Sequence, residues 1–259
     1  MIVAAGRCLL LVGILASGLV ACGSSDDAAS AGARPVIVAA AASLKTALSA
    51  YALDSGGGRA RLSFAGSDEL AAQIRQGVKP DVFAAANTRL PAQLFREGLV
   101  EQPVRFATNE LVLAVPAAGA RVTGLGDLAG DGITVALGAD GVPVGEYTRS
   151  VLDRLPPAQR AAINANVRSK EPDVAGIVGK LTQGAVDAGF VYRTDVRGAG
   201  GKLKAITLPA GLEPTVEYGV ALVKGAENPA GARRFVAGLL DGAGARALRE
   251  AGFGPPARR

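Results

Sequence analysis

The stretch RLSFAGSDELAAQI (Arg61–Ile74) joins a strand pattern to a helix pattern through a corner of small residues. Apolar residues alternate with polar ones before the corner and recur at helical spacing after it. Ser67 stands at the corner, and VIVAAAASLKTAL (Val36–Leu48) places Ser43 at the same point of a second corner. The two stretches predict strand–turn–helix units in which a serine lies where the helix begins.

Similar units follow along most of the chain. Apolar strand patterns occupy 36–41, 61–64, 81–85, 111–115, 133–137, 189–192, 203–208 and 218–223. Helical periodicity occupies 44–53, 69–76, 90–97, 146–155, 174–183, 230–240 and 243–251. Strands that alternate with helices favour an α/β fold built from parallel sheets with helices on their faces.

Two segments are predicted to connect separate lobes. NELVLAVPAAG (Asn109–Gly119) ends in a Pro-Ala-Ala-Gly break, and EPTVEYGVALVK (Glu213–Lys224) begins a strand after a turn. Two α/β lobes joined by paired extended strands place a ligand cleft between them and a hinge at the crossings. We expect residues 35–116 and 217–259 to form lobe I and residues 117–216 to form lobe II.

The first 22 residues have the features of a secretory signal. Arg7 precedes an apolar run, Cys8–Val20, which is shorter than the roughly 20 residues needed to span a bilayer. The Leu-Val-Ala-Cys sequence that ends at Cys22 resembles a bacterial lipobox, which implies cleavage before Cys22 and lipid on its sulfur. An ordinary signal cleaved nearby, with Cys22 incidental, is the alternative. Residues 23–34 are small and mostly polar and are predicted to form a flexible tether.

The composition disfavours several classes of function. There is no histidine, which is the commonest general base and transition-metal ligand, so an enzyme is less expected, although catalysis by carboxylates or by a Ser-Lys pair stays open. The formal charge is +5, but the basic residues are scattered rather than gathered on one face, so no nucleic-acid partner is expected. No cysteine follows Cys22, so the chain beyond it depends on its core rather than on disulfides.

Ser43 and Ser67 each have two interpretations. Serine is a favoured helix N-cap, whose hydroxyl accepts a hydrogen bond from a first-turn amide. Neither serine begins a capping box, because Thr46 and Leu70 stand where Glu or Gln is required. Alternatively, the hydroxyl and the free first-turn N–H groups converge on an anion outside the carboxyl ends of the strands.

The middle of the chain offers further positions of this kind. GADGVPVGEYTRSVL (Gly138–Leu152) is a Gly-rich corner before a helix, but it has neither the Gly-Lys-Ser/Thr of a P-loop nor a dinucleotide fingerprint. SKEPDVAGIVGKL (Ser169–Leu181) starts a helix in which Val174 contributes a backbone amide. A later strand ends at Tyr192, whose hydroxyl is a neutral donor, although a buried tyrosine commonly just packs. None of these positions depends on Lys or Arg, which suits a small, fully ionised oxyanion held by dipoles.

Six stretches give the chain a resemblance to a known family. They are VIVAAAASL, SFAGSDELAAQI, KPDVFAAAN, VPVGEYTRSVL, EPDVAGIVGKLTQGAVDAGFVYRTDV and VEYGVALVK. In this order they resemble the molybdate-binding proteins of bacterial ABC transporters, from about Val36 to Phe253. The most specific part is the Asp-Val helix start that is followed by the strand Asp-Ala-Gly-Phe-Val-Tyr.

The resemblance implies a type II periplasmic-binding-protein fold and a role for individual residues. Ser43 and Ser67 would each give the oxyanion a hydroxyl and a backbone amide. Val144 and Val174 would give backbone amides, and Tyr192 would give its hydroxyl. The ligand would be molybdate, and tungstate as well, bound as the oxyanion without a cofactor and without direct ligation of the metal by the protein.

The resemblance also implies a non-catalytic, monomeric lipoprotein, anchored through Cys22 to the outer face of the cytoplasmic membrane, that delivers its ligand to an ABC permease. Three alternatives are open: a receptor of the same fold for sulfate, phosphate or a small organic anion, a secreted hydrolase that uses Ser43 with Lys45, and a structural surface lipoprotein. Lys45 lies on a different helix face from Ser43, which disfavours the hydrolase. Asp68 and Glu69 replace the small neutral residues common in the family, and these acids would compete with an anion unless they point outward.

Overall fold

The computed structural model describes residues 34–54 and 59–256, and these residues form ten strands and nine α-helices joined by turns and loops. The strands are, in chain order, β1 (Val36–Ala41), β2 (Ala60–Ala65), β3 (Val82–Ala85), β4 (Val104–Asn109), β5 (Leu111–Pro116), β6 (Val135–Gly138), β7 (Val167–Glu171), β8 (Ala188–Tyr192), β9 (Leu203–Thr207) and β10 (Val216–Leu222). The helices are α1 (Lys45–Leu53), α2 (Ser67–Arg75), α3 (Arg89–Arg96), α4 (Pro143–Leu152), α5 (Pro157–Ala165), α6 (Val174–Thr182), α7 (Arg193–Gly198), α8 (Pro229–Leu240) and α9 (Ala243–Ala251). Short 3₁₀ helices lie at Ala42–Leu44 and Leu125–Ala129.

The strands form two five-stranded sheets, with the orders β2-β1-β3-β10-β4 and β7-β6-β8-β5-β9. β1 pairs in parallel with both of its neighbours, and so does β6. β10 and β5 run antiparallel to both of theirs. The α/β class predicted from the sequence is confirmed. The sheets are mixed rather than parallel, because β5 and β10, the strands that follow the crossings, run against the rest.

The chain passes between the two sheets twice. β4 ends at Asn109 in the first sheet and β5 begins at Leu111 in the second, so the first crossing is at Glu110. The second crossing lies between β9 and β10. Lobe I is the first sheet with α1–α3, α8 and α9, and lobe II is the second sheet with α4–α7. The expected boundary after residue 116 is corrected accordingly: β5 belongs to lobe II, because its backbone hydrogen-bonds to β8 and β9.

The central strands are buried because helices cover both faces of each sheet. Every residue of β3, β6 and β8 is buried, as is typical of strands enclosed in this way. α2 is one of the covering helices, and its apolar residues Leu70, Ala71 and Ile74 are buried against lobe I. Burial of this kind holds the ends of the strands, and the turns that follow them, in fixed positions.

The predicted signal peptide, the predicted lipidation site Cys22 and residues 23–33 of the predicted tether lie outside the described residues. Within the part of the chain that is described, no helix is both long and apolar enough to cross a bilayer.

Candidate functional site

A small, narrow cavity lies between the lobes, at the turns that follow strands of both sheets. The five residues predicted from the sequence, Ser43, Ser67, Val144, Val174 and Tyr192, all line it. The remaining walls are formed by Ala41, Ala42, Ala65, Gly66, Ala86, Val142, Pro143 and Asp173. Lobe I contributes the two serines, and lobe II contributes the two valines and the tyrosine.

The two serine hydroxyls are held by other segments rather than by the helices that follow them. Ser43 lies in the 3₁₀ turn between β1 and α1, and its Oγ is 2.9 Å from the Tyr218 hydroxyl. Ser67 is the first residue of α2, and its Oγ accepts a hydrogen bond of 3.1 Å from the Ala86 amide. Within the described residues neither α1 nor α2 has a side-chain cap. The capping interpretation is therefore wrong for both serines.

Two helices of lobe II present backbone amides to the cavity. Val144 is the second residue of α4, after Pro143, which has no N–H group. Val174 is the first residue of α6. The N-cap residue Asp173 accepts a hydrogen bond of 2.9 Å from the Gly176 amide and not from the Val174 amide. First-turn amides have no partner inside their own helix, so the Val144 and Val174 amides are placed to donate to an anion.

The Tyr192 hydroxyl is a buried donor at the wall of the cavity. Tyr192 is 1% exposed, and its hydroxyl has no hydrogen-bond partner among the described residues. The ring packs edge-on against Tyr147 and Tyr218, with centroid distances of 6.4 Å and 5.9 Å. Burial raises the pKa of the Tyr192 hydroxyl well above its usual range, so the proton stays on the oxygen at neutral pH.

Backbone amides and hydroxyls, rather than cationic side chains, supply the hydrogen-bond donors of the cavity. Asp173 carries the one formal charge among the described residues that line it, and no Lys or Arg does so. Asp68 and Glu69 do not line the cavity. Glu69 is exposed and accepts a hydrogen bond of 3.1 Å from Gln73, whereas Asp68 has one buried oxygen without a partner in the described structure. Of the first-turn residues of α2, Ser67 lines the cavity and the two acids do not.

Three residues that the sequence did not single out support the cavity wall. The Asn109 side-chain amide donates to the Tyr218 hydroxyl over 3.4 Å, and Tyr218 in turn contacts Ser43. Asp195 accepts a hydrogen bond of 2.9 Å from the Tyr192 amide, and burial raises the pKa of its carboxyl to about 7. The signal for Asn109 and Tyr218 is tertiary, because their partners lie far apart in the sequence. The signal for Asp195 is local, because it stands three residues after Tyr192 at the start of α7.

The two lobes also touch beside the cavity. Glu146 of α4 in lobe II accepts hydrogen bonds from Asn87 Nδ2 at 3.4 Å and from Arg89 Nε at 3.3 Å in lobe I, and it forms an ion pair with Arg89. Gly66 lies so close to lobe II that a Cβ atom there would be 2.5 Å from the Pro172 carbonyl oxygen. The small residue at this corner is therefore required by close approach of the lobes.

The arrangement can bind a ligand that only accepts hydrogen bonds. Hydroxyls and amides from both lobes converge on one small cavity, and these groups are all placed to donate. The described residues contain no group of three or more His, Cys, Asp or Glu side chains that could hold a metal ion directly.

Comparisons with known proteins agree with this geometry. Residues 36–254 match the family model for bacterial extracellular solute-binding proteins. The molybdate-binding protein ModA of Mycobacterium tuberculosis is 36% identical over an alignment of length 259, and the alignment covers 95% of this chain and 97% of that protein.

Two solved structures share the fold. The periplasmic molybdate-binding protein of Azotobacter vinelandii has a TM-score of 0.75 at 22% identity, covering 86% of this chain and 100% of its own. The sulfate-binding protein SubI of Mycobacterium tuberculosis has a TM-score of 0.72 at 17% identity, covering 86% and 87%. The two-lobed binding-protein fold expected from the sequence is confirmed, and proteins named for different oxyanions share it.

Proposed function

This chain belongs to the bacterial extracellular solute-binding protein family, and from that premise we propose that it captures molybdate outside the cytoplasm and delivers it to an ABC permease. Tungstate is a second ligand, because it is a tetrahedral oxyanion of nearly the same size. The protein binds and releases the anion without catalysing a reaction. Ser43, Ser67, Val144, Val174 and Tyr192 are the binding residues.

The observation that carries the proposal is the convergence of donors from both lobes around the Tyr192 hydroxyl, which is buried and without a partner among the described residues. A buried donor of this kind is costly unless a ligand accepts its hydrogen bond. Ser67 Oγ already accepts from the Ala86 amide, so its own proton is available to the same ligand. A fully deprotonated oxyanion has an acceptor for each of these groups.

The second candidate is a sulfate or phosphate receptor of the same fold, which the likeness to a sulfate-binding protein favours. Phosphate is the weaker of the two, because at neutral pH it carries a proton that needs an acceptor. Asp173 is the carboxylate at the cavity wall, and one of its oxygens already accepts from the Gly176 amide. We assign molybdate rather than sulfate as the ligand because the chain is related to molybdate-binding proteins. The donors are generic, so the size of the cavity must separate the two anions.

Calorimetric titration of residues 34–259 with sodium molybdate, tungstate, sulfate and phosphate tests the proposal. We expect saturable one-to-one binding of molybdate and tungstate, with sulfate and phosphate much weaker. The same ligands should raise the unfolding free energy by about 2.7 kcal/mol at a concentration one hundredfold above the dissociation constant. Binding of sulfate alone would replace molybdate with the second candidate, and binding of no oxyanion would refute the receptor function.

Anchoring of the monomeric receptor through a lipid on Cys22 is part of the proposal and is supported by the lipobox-like sequence. We expect the Cys22→Ser variant to lose lipid and cleavage before residue 22 while its affinity for molybdate is unchanged. Mass spectrometry of the mature protein follows processing and separates lipid anchoring from retention by an uncleaved signal. A wild-type protein that is mature at another residue and carries no lipid would contradict the anchor.

The hydrolase alternative has less support. The Ser43 hydroxyl is hydrogen-bonded to a tyrosine, and Lys45, its supposed partner, is exposed at the start of α1. A serine-reactive probe that labelled Ser43 would overturn the non-catalytic assignment.

A further inference from the structure

We propose that Asn109 and Tyr218 form, with Ser43, a hydroxyl relay that fixes the Ser43 proton toward the cavity and makes this serine an obligatory donor to the bound anion. The inference rests on the proposed function and adds two positioning residues to it. Neither Asn109 nor Tyr218 lines the cavity, so the Asn109 side-chain amide and the Tyr218 hydroxyl act on a ligand through Ser43, whereas the Tyr218 ring also packs against Tyr192.

The direction of the relay begins at the Asn109 side chain. Its Oδ1 accepts a hydrogen bond of 2.9 Å from the Glu110 amide, and only an acceptor can face a backbone N–H group. The other end of the side chain is therefore the NH₂ group. That group donates to Thr194 Oγ1 at 2.9 Å and to the Tyr218 hydroxyl at 3.4 Å.

The hydrogen bond from Asn109 also determines which way the Tyr218 hydroxyl donates. Its hydroxyl accepts from Asn109, so its single proton is left for the oxygen on its other side, Ser43 Oγ, at 2.9 Å. Tyr218 is fully buried, and burial raises the pKa of its hydroxyl well above its usual range. The hydroxyl keeps its proton at neutral pH and remains a donor.

Ser43 receives this hydrogen bond, and its own proton is free to point into the cavity that it lines. Ser67 is arranged in the same way, because its Oγ accepts from the Ala86 amide. Each serine thus has its proton available for the ligand, while a hydrogen bond from the protein already occupies one lone pair of its oxygen. The relay therefore selects oxyanions without a proton and disfavours protonated ones such as hydrogen phosphate.

A double-mutant cycle between Tyr218→Phe and Ser43→Ala tests the relay. We expect Tyr218→Phe to weaken molybdate binding about threefold to tenfold, the effect of losing one neutral hydrogen bond. On the Ser43→Ala background the same change should have no further effect on affinity, because Phe keeps the ring contact with Tyr192 and the removed hydroxyl acts only through Ser43. Independent, additive losses would overturn the relay, since they would mean that Tyr218 affects the cavity by packing.

Tyr51→Phe is the matched control. Tyr51 is equally buried, and its hydroxyl donates to the Phe235 carbonyl over 3.1 Å, away from the cavity. Its loss should lower stability but leave the affinity for molybdate at the wild-type value. A comparable loss of affinity in Tyr51→Phe would show that any buried tyrosine hydroxyl has this effect, and would refute the relay.

Asn109→Asp reverses the direction of the relay and serves as the second variant, including the case in which Tyr218→Phe does not fold. A carboxylate at residue 109 still accepts a hydrogen bond from the Glu110 amide, but its second oxygen accepts the Tyr218 proton. The Ser43 hydroxyl must then donate its own proton to the Tyr218 oxygen rather than to the ligand. We expect at least tenfold weaker molybdate binding and a smaller ratio between the affinities for molybdate and phosphate. The same change on the Tyr218→Phe background measures the effect of the added charge alone, and an equal loss there would contradict the relay.

Failure of the relay and failure of the proposed function give different results. If the wild-type protein binds sulfate rather than molybdate, the molybdate assignment fails, and the cycle is measured with sulfate. If the wild-type protein binds molybdate and the cycle shows no coupling, only the relay fails.

Discussion

Tyr192 carries a buried hydroxyl that lacks a hydrogen-bond partner among the described residues. Leaving such a group unsatisfied costs about 1–3 kcal/mol of folding free energy. A destabilising group of this kind is explained when it binds a ligand, and the Tyr192 hydroxyl lies at the wall of the cavity. Stability and binding therefore make opposite demands on this one oxygen atom.

We expect Tyr192→Phe to weaken molybdate binding at least tenfold, since a hydrogen bond to a charged ligand is lost. Without added ligand, the unfolding free energy of the same variant should not fall and should rise by about 1 kcal/mol, because the unsatisfied hydroxyl is gone. Calorimetry gives the affinity, and urea unfolding gives the stability.

Ser67→Ala is the counterpart of this variant. It should weaken binding similarly, but it should also lower the unfolding free energy by about 1 kcal/mol, because the Ala86 amide loses its acceptor. Wild-type affinity in both variants would place the anion elsewhere.

Asp195 makes the stability of the ligand-free protein depend on pH. Burial raises its pKa from 3.8 to about 7, so between these values the folded chain binds a proton that the unfolded chain does not bind. Stability from this group is therefore fully present below the unfolded pKa of 3.8 and is lost as the pH rises through the folded pKa of about 7. We expect urea unfolding to show this decline, and Asp195→Asn, which retains an acceptor for the Tyr192 amide, to flatten it. An unchanged pH dependence in the variant would assign the decline to other groups.

At the scale of elements, the start of α2 meets the turn between β7 and α6 across the cleft. Gly66→Ala would place a Cβ atom 2.5 Å from the Pro172 carbonyl oxygen and 2.8 Å from Asp68 Oδ1. We expect this clash to hold the lobes apart and to weaken molybdate binding about tenfold, while each lobe stays folded. Calorimetry measures the affinity, and small-angle scattering with saturating molybdate measures closure.

Gly179→Ala is the control for this substitution. Gly179 lies inside α6, and a Cβ atom there would meet nothing within 4 Å. The control should keep wild-type affinity and stabilise its helix by up to about 1 kcal/mol. Equal affinities of Gly66→Ala and the wild-type protein would show that the turns can separate without cost to binding.

The sequence predicted the central elements better than the peripheral ones. β1 and α9 have the predicted bounds, because buried strands and one-sided helices leave clear apolar patterns. β4 and β7 were missed, and each lies at the edge of its sheet with few buried residues. α5 was also missed, since Ile163 is its one buried residue among those described.

The candidate site shows the same division. Four of the five predicted residues, Ser43, Ser67, Val144 and Tyr192, follow or end strands whose apolar pattern is readable. Val174 follows β7, whose pattern is not readable, and it was found from the helix start instead; the structure brings all five around one cavity. Their roles as ligands stay predictions. Asn109 and Tyr218 could not be found from local pattern, because the hydrogen bonds that link them to Ser43 join distant parts of the chain. Asp195 acts on Tyr192 three residues earlier, so its signal was a local one at the start of α7.

For the whole molecule, closure of the lobes depends on contacts between α3 and α4. Glu146→Gln removes the carboxylate that pairs with Arg89. Exposed ion pairs contribute about 0.2–1 kcal/mol, so we expect a loss of affinity of up to about fivefold, carried by faster release and reduced by added salt. Stopped-flow measurement of molybdate release at low and high salt tests this expectation.

Arg75→Gln is the matched control for closure. Arg75 pairs with Glu97 at 2.8 Å inside lobe I, with an exposure similar to that of Arg89. Its loss should leave the release rate unchanged. Equal effects of the two substitutions would mean that general surface charge, rather than contact between the lobes, sets the rate.

β10 comes near the end of the chain but lies inside the sheet of lobe I, between β3 and β4. Both of those strands are synthesised much earlier. They do not pair with each other, and only β10, which hydrogen-bonds to both, connects them into one sheet. Lobe II, by contrast, is one continuous segment and can fold as soon as it has been made. A nascent chain that ends before Val216 therefore lacks a finished first lobe, and order of synthesis makes lobe I the last part of the molecule to form.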